Sequence, residues 1–179
     1  MPHIPILPPA QASKDSRAVY DEFYRRMQFP GPPNFIMTQG HSPYAARGTW
    51  ELVKNVLVGG EIERWKKEMI FVAISRDRDC RYCTAAHIAC CRMLGRDAES
   101  AVTDVQAIAD PVLREMIQFA TKCARDPQGL TKDDYDGLRA LGLSQTQIVE
   151  LISMAALAVY ANIIADATGM EADAMFESV

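Results

Sequence analysis

Four of the chain's five cysteines and one of its three histidines lie in the stretch CRYCTAAHIACC, residues 80–91. If a helix begins near Cys80, then Cys83 follows after three positions and His87 after four more, so the three side chains share one face. Two cysteines three residues apart in a first helical turn have Cα atoms about 5 to 6 Å apart, a distance that a disulfide spans. The pair can therefore alternate between dithiol and disulfide without a large backbone movement.

The predicted surroundings of the pair favour a thiolate. The first turn of a helix presents unpaired N–H groups and the positive end of the helix dipole, and Arg76, Arg78 and Arg81 add positive charge nearby. His87, one turn beyond Cys83, is placed to accept its proton. Cys83 is therefore the better candidate for the nucleophile.

A histidine that acts as a base is usually oriented by a third group, and Glu68 is the candidate. It lies on the same broad side of the preceding segment as Trp65, Met69 and Val72, and the short SRDRD connection lets that segment fold back on the next. A glutamate at a seam between two helices needs a partner because a buried, unpaired carboxylate is costly. The alternative is a solvated Glu68 that pairs with a lysine of RWKKE.

Glu68, the pair in CRYC and His87 resemble the E-x11-C-x-x-C-x3-H signature of the alkyl hydroperoxidase D-like proteins, in the carboxymuconolactone decarboxylase superfamily. The resemblance implies a helical subunit that forms trimers or hexamers and acts as a thiol peroxidase or disulfide oxidoreductase in antioxidant defence. It implies that Cys83 attacks the peroxide, that Cys80 resolves the sulfenic acid as a disulfide, and that Glu68 and His87 relay the proton. It implies no bound cofactor, and a dithiol reductant such as a lipoyl group or a thioredoxin-like protein.

At Tyr82 the sequence departs from the best-studied branch of these proteins, which has a second histidine there, and resembles the peroxidase-related branch instead. Tyr82 is therefore a candidate catalytic residue that assists the proton relay, or a residue that only covers the site.

Other functions remain open. Cys80, Cys83, His87 and Cys91 are zinc-ligand types, but four ligands on one continuous helix face cannot surround an ion, so zinc is not expected. A decarboxylase or lactone-processing enzyme on the same scaffold would use the histidine and glutamate alone. A non-enzymatic module would use the cysteine pair as a redox switch.

The remaining cysteines and histidines have weaker claims to a role. Cys90, Cys91 and Cys123 are expected to pack in the core, as free cysteines often do. His3 and His41 show no partner pattern and receive no role.

The elements that position these residues are all predicted to be helices. Hydrophobic spacing, caps and breakers define them. They run from Ser13 or Ser16 to the PGPP at 30–33, from Ser42-Pro43 to Gly59-Gly60, from Glu61 through MIFVAIS, from Cys80 onwards, near 97–107, from Pro111 to Arg125, from Thr131 to Leu141, and from Ser144 to about Thr168. MIFVAIS alone could be a strand leading into a thioredoxin-like C-x-x-C helix. We predict one all-α domain of seven or eight helices over residues 13–179, after an extended proline-rich arm, residues 1–12.

Composition limits the partners. The chain has 179 residues, 49% of them hydrophobic, and a net charge of -4, with no basic run to attract nucleic acid or an anionic membrane. The start MPHIPILPPAQ lacks the basic and apolar regions of a signal peptide. The apolar stretch IVELISMAALAVYANIIADA contains Glu150, Asn162 and Asp166, which favours a buried helix over a bilayer span. We therefore expect a cytoplasmic protein.

Overall fold

A computed structural model describes residues 2–98, 101 and 103–177 of the chain. Within these residues there are nine α-helices and no β-strand, which confirms the all-α prediction. The helices are α1 Lys14–Met27, α2 Asn34–Gln39, α3 Pro43–Leu52, α4 Arg64–Asp77, α5 Arg81–Met93, α6 Pro111–Arg125, α7 Lys132–Ala140, α8 Gln145–Thr168 and α9 Ala174–Glu177. The helix α3 continues as a π-helix, Val53–Val58, and short 3-10 helices lie at Val105–Ala107 and Pro127–Gly129.

Local capping explains most helix boundaries. The Ser13 hydroxyl accepts from the backbone N–H of Ser16 at 3.1 Å and begins α1. Ser144 and Gln147 form a reciprocal capping box at the start of α8, and Gly169, at φ 63°, ends that helix in the left-handed region. These boundaries agree with the sequence prediction.

Two short helices were not predicted, and both depend on tertiary contacts. The first N–H of α2, on Asn34, donates to Asp173 Oδ1 at 2.8 Å, so α2 and the segment before α9 hold each other.

Of the helix predicted near 97–107, residues 99, 100 and 102 lie outside the described residues. The part at 105–107 is a 3-10 helix.

The helix α4 forms the centre of the bundle and packs against α5, α6 and α8. Every residue from Lys67 to Ser75 in it is buried. MIFVAIS is a continuous apolar run because it is a helix buried on all sides. The strand alternative, and with it the thioredoxin-like fold, is wrong for this chain.

The helix α8 crosses the bundle beside α4. It is the one helix among the described residues that is long and apolar enough to span a membrane, and half of that window is buried inside the bundle. Core helices of globular proteins share that length and composition. Beside its C-terminal end lies the N-terminal segment, where His3 N–H donates to the carbonyl of Thr168 at 2.7 Å.

Candidate active site

The turn between α4 and α5 brings the cysteine pair against α4. Asp79 adopts a positive φ of 56°, which reverses the chain after α4, and Cys80 is the N-cap residue of α5. The Cys80 N–H donates to the carbonyl of Ser75 in α4 at 2.9 Å. Cys80 and Cys83 are 0% and 2% exposed, and both are free thiols.

Glu68 and His87 are in direct contact across the α4–α5 seam. His87 Nδ1 lies 2.5 Å from Glu68 Oε2, and Arg64 Nε donates to Glu68 Oε1 at 3.0 Å. Because Glu68 is 0% exposed, the solvated alternative is wrong. A carboxylate only accepts, so Nδ1 carries the hydrogen in this contact, and Nε2 is the acceptor in the neutral tautomer with that hydrogen. The ring of Phe71 stacks on that of His87, with centroids 3.5 Å apart, and fixes its plane.

A cavity of about 50 Å³ adjoins Cys83 and His87. Its other walls are almost entirely apolar. They include Phe23, Phe29, Phe35, Phe71, Leu157 and Phe176. Cys80 and Glu68 do not line it, so among the described residues Cys83 faces the cavity while Cys80 lies behind it.

The predicted thiolate environment of Cys83 is not what the fold provides. The hydrogen bond with the Cys80 thiol, followed by burial, raises the pKa of Cys83 well above the ordinary value, while a side-chain hydrogen bond from Asn162 acts in the opposite direction. Burial between helices and a neighbouring thiol outweigh the helix N-terminus here. Cys83 is therefore a thiol at rest, and a base must remove its proton before the sulfur can act as a nucleophile.

The hydroxyl of Tyr82 is engaged away from the Glu68–His87 contact. It donates to Asp173 Oδ2 at 2.6 Å and accepts from the N–H of Phe35 at 3.1 Å. Burial raises the pKa of Tyr82 well above its ordinary value, so the group stays protonated. The structure brings Glu68 and His87 into contact, and His87 lines the same cavity as Cys83. Tyr82 also lines that cavity, but its hydroxyl is tied to α2 and to the segment before α9.

Cys90, Cys91 and Cys123 are buried, as expected. Cys90 also lines the cavity, and its sulfur lies with ligand atoms of Glu68 and His87, all within 4.8 Å of one another. Among the residues that the structure describes, this group, and not the zinc set considered from the sequence, has the spacing that could hold a metal ion. The guanidinium of Arg64 already contacts Glu68 and Cys90, which places a cation at this cluster.

Sequence reasoning missed two residues of the site. Arg64 lies four positions before Glu68 on the same helix, a spacing at which charged pairs form, so it could have been found. Asn162 is fully buried in α8, and the signal was an amide inside an alanine-rich apolar helix.

No family model matches the chain, and no curated protein does. Solved structures do match. An uncharacterized peroxidase-related protein from Ralstonia eutropha JMP134, with an alkylhydroperoxidase AhpD core, has a TM-score of 0.88 at 24% identity over 98% of this chain and 94% of that one. A peroxidase-related protein from Silicibacter sp. TM1040 has a TM-score of 0.86 at 23% identity, with the same two coverages, 98% and 94%.

A third match carries another activity. The debrominase Bmp8, as a cysteine-to-alanine variant in complex with 2,3,4-tribromopyrrole, has a TM-score of 0.81 at 20% identity over 98% of this chain and 94% of that one. Taken together, these matches show that the chain has the alkylhydroperoxidase AhpD-like fold, as the resemblance of its E-x11-C-x-x-C-x3-H pattern implied.

Proposed function

We propose that the protein is a thiol-dependent peroxidase or disulfide oxidoreductase that acts in antioxidant defence. The observation that carries the proposal is the 2.5 Å contact between His87 Nδ1 and the buried Glu68, beside a cysteine that faces an apolar cavity. The peroxidase-related proteins that share the fold support the same class of activity.

In the first step His87 Nε2 takes the proton of the Cys83 thiol. The thiolate attacks one oxygen of a peroxide ROOH, so that an S–O bond forms as the O–O bond breaks. The released alkoxide takes the proton from His87 and leaves as ROH. Sulfur has lost two electrons and Cys83 is a sulfenic acid.

In the second step the Cys80 thiol attacks the sulfur of the Cys83 sulfenic acid. An S–S bond forms, and the hydroxyl leaves as water with the proton of Cys80. A dithiol reductant, either a lipoyl group or a thioredoxin-like protein, then restores both thiols by exchange and becomes a disulfide itself. In the oxidoreductase version, Cys83 attacks a partner disulfide instead of a peroxide.

Glu68 stabilises the imidazolium that forms when His87 accepts the proton. Its full burial makes this stabilisation strong, because a buried carboxylate is poorly screened by water. Arg64 holds the other carboxylate oxygen and so fixes the orientation of Glu68.

Peroxide titration of the reduced protein tests the proposal. The parent should lose two thiols per chain, and peptide mass mapping should place a disulfide between Cys80 and Cys83. The Cys80→Ser variant should accumulate a sulfenic acid on Cys83 that dimedone traps, and Cys83→Ser should form neither product. Cys123→Ser, at a buried cysteine outside the cavity, is the matched control. Peroxide turnover by Cys83→Ser at the parent rate with dithiol donors would contradict the proposal.

A second candidate arises because the same fold carries debrominase activity in Bmp8. A decarboxylase or lactone-processing reaction would need only His87 and Glu68, so the double variant Cys80→Ser, Cys83→Ser would retain it. A redox-sensing module would form the disulfide with peroxide but show no sustained turnover with dithiols.

We also propose that the chain forms a homo-oligomer, a trimer or hexamer, in the cytoplasm, where a dithiol cycle finds reducing conditions. An exposed apolar stripe on α8 supports self-association: Val149 and Ile163 are 60% and 54% exposed and lie two heptads apart on one face. Light scattering should give a mass of three or six chains. Ile163→Glu should lower that mass, whereas Tyr44→Glu, at a 90% exposed aromatic on another helix, should not. A monomeric parent would contradict the oligomer.

A further inference from the structure

Asn162 is a buried amide with an unusual balance of partners. It is 0% exposed, and its Nδ2 donates to the hydroxyl of Ser75 at 2.9 Å. Its Oδ1 has no hydrogen-bond partner among the described residues. A buried acceptor without a partner destabilises a fold, so this amide is held in place by its donor end.

The donor end of Asn162 faces the cysteine pair. Ser75 accepts from Asn162 through its hydroxyl and from the N–H of Cys80 through its carbonyl, both at 2.9 Å. Asn162 also lowers the pKa of Cys83, because its amide lies close enough to the sulfur to donate to the thiolate. Its chain neighbour Ala161 lines the same cavity as Cys83. The long helix α8 thus brings one polar side chain against the turn that carries both thiols.

The orientation of the amide indicates what it serves. The Ser75 hydroxyl at the Nδ2 end and the nearby Cys83 sulfur can both accept a hydrogen bond, and the sulfur accepts far better once it is an anion. An amide with a purely structural role would be expected to use its acceptor as well. Leaving Oδ1 without a partner is understandable if the donor is needed at Cys83.

We propose that Asn162 is a further catalytic residue of the cysteine centre: its Nδ2, anchored on Ser75, donates a hydrogen bond to the Cys83 sulfur and stabilises the thiolate that attacks the substrate. This inference rests on the proposed role of Cys83 as the nucleophile. The sequence predicted that the N-terminus of α5 stabilises the thiolate; in this proposal a side chain of α8 does so.

The pH dependence of Cys83 alkylation by iodoacetamide, followed by peptide mass mapping, tests the inference without peroxide. Asn162→Leu, of similar size but without a donor, should raise the alkylation midpoint of Cys83 by about one pH unit, which makes alkylation about tenfold slower near neutral pH. Asn162→Asp should raise it further, because a carboxylate would repel the thiolate. Ser75→Ala, which leaves the donor but removes its anchor, should have a smaller effect.

Tyr160→Phe is the matched control. It removes a hydroxyl of α8 that hydrogen-bonds to Thr49, at 2.6 Å, and to Gln39, at 3.4 Å, and should leave the Cys83 midpoint unchanged. If Asn162→Leu does not fold, Asn162→Ala gives the same test, because it removes the donor without placing a larger or charged group in the site. Parental midpoints in the folded Asn162 variants would overturn the inference.

The two proposals fail in different ways. If peroxide forms no Cys80–Cys83 disulfide in the parent, the peroxidase proposal fails while the alkylation midpoints still report on Asn162. If the parent cycles but the Asn162 variants keep the parental midpoint, only the role of Asn162 is lost.

Discussion

Replacing Glu68 with glutamine tests how the buried carboxylate acts. Two donors face Glu68: Arg64 Nε at 3.0 Å and His87 Nδ1 at 2.5 Å. Glutamine has a single acceptor oxygen, so it can satisfy only one of them, and its NH₂ group faces the other. If the oxygen stays with Arg64, the amide donates to Nδ1 and the hydrogen of His87 moves to Nε2. The ring then has no acceptor left for the Cys83 proton.

The size of the effect follows from this arrangement. One hydrogen bond to a charged group is worth about 1.5–3 kcal/mol when lost in a buried site. In Glu68→Gln a neutral amide replaces the charged acceptor that Arg64 and His87 share, so we expect the free energy of unfolding to fall by about 2 kcal/mol. Loss of general-base function lowers the rate by about 10²-fold or more. That factor corresponds to about 2.7 kcal/mol in the activation free energy.

The assay is the rate of disulfide formation between Cys80 and Cys83 after mixing with peroxide, quenched with acid and quantified by mass. Urea unfolding measures the stability of the same samples. Glu150→Gln is the control, since Glu150 is also largely buried, pairs with Lys67 at 3.0 Å and lies outside the cavity. We expect it to lower stability by a similar amount but to leave the rate unchanged.

Two results would refute this reasoning. One is Glu68→Gln oxidising its cysteine pair at a rate close to the parent's. The other is a rate loss of equal size in Glu150→Gln, because the effect would then come from general destabilisation and not from the tautomer of His87.

Three further predictions concern stability. Tyr82→Phe should lower the free energy of unfolding by about 1–3 kcal/mol, because it leaves one oxygen of the buried Asp173 carboxylate and the buried N–H of Phe35 without the hydroxyl, while the peroxide rate stays within a few-fold of the parent's. Gly40→Ala should destabilise strongly in urea, since its Cβ would overlap the Tyr20 hydroxyl; Gly48→Ala, with open space around it in α3, should stabilise by about 1 kcal/mol. Burial raises the pKa of Cys91 to about 12. The free energy of unfolding in urea should therefore not change with pH below the usual thiol pKa, and it should fall as the pH rises from there toward 12. Cys91→Ala should reduce that fall.

Most of the fold could be predicted because its boundaries are local. Ser13, Ser42 and Ser144 cap helices through their own following residues, so a single sequence contains the signal. Helix α2 has six residues, too few for a periodic pattern, and its first N–H is held by Asp173 from the far end of the chain. Such a helix depends on packing that no local window contains.

The candidate site could likewise be predicted only in part from the sequence. Glu68 and His87 lie on consecutive helices joined by a tight turn, so their spacing nearly determines their contact. The pKa of Cys83 does not follow from spacing, because burial comes from helices distant in sequence. Asn162 contacts the site from α8, and only the tertiary fold brings it there.

The two adjacent charges on α4 have a consequence for how that helix is seated. Lys67 and Glu68 are both 0% exposed, and they point to different neighbours: Lys67 to the carbonyls of Val56 and Gly59, Glu68 to His87. Because α4 is apolar all round from Met69 to Ile74, hydrophobic burial alone would accept many angles of rotation about its axis. A quarter turn of α4 about its axis would take both Lys67 and Glu68 away from their partners while they remained buried. The charges therefore select a single rotation of α4, and Lys67 helps to fix the orientation of the Glu68 carboxylate.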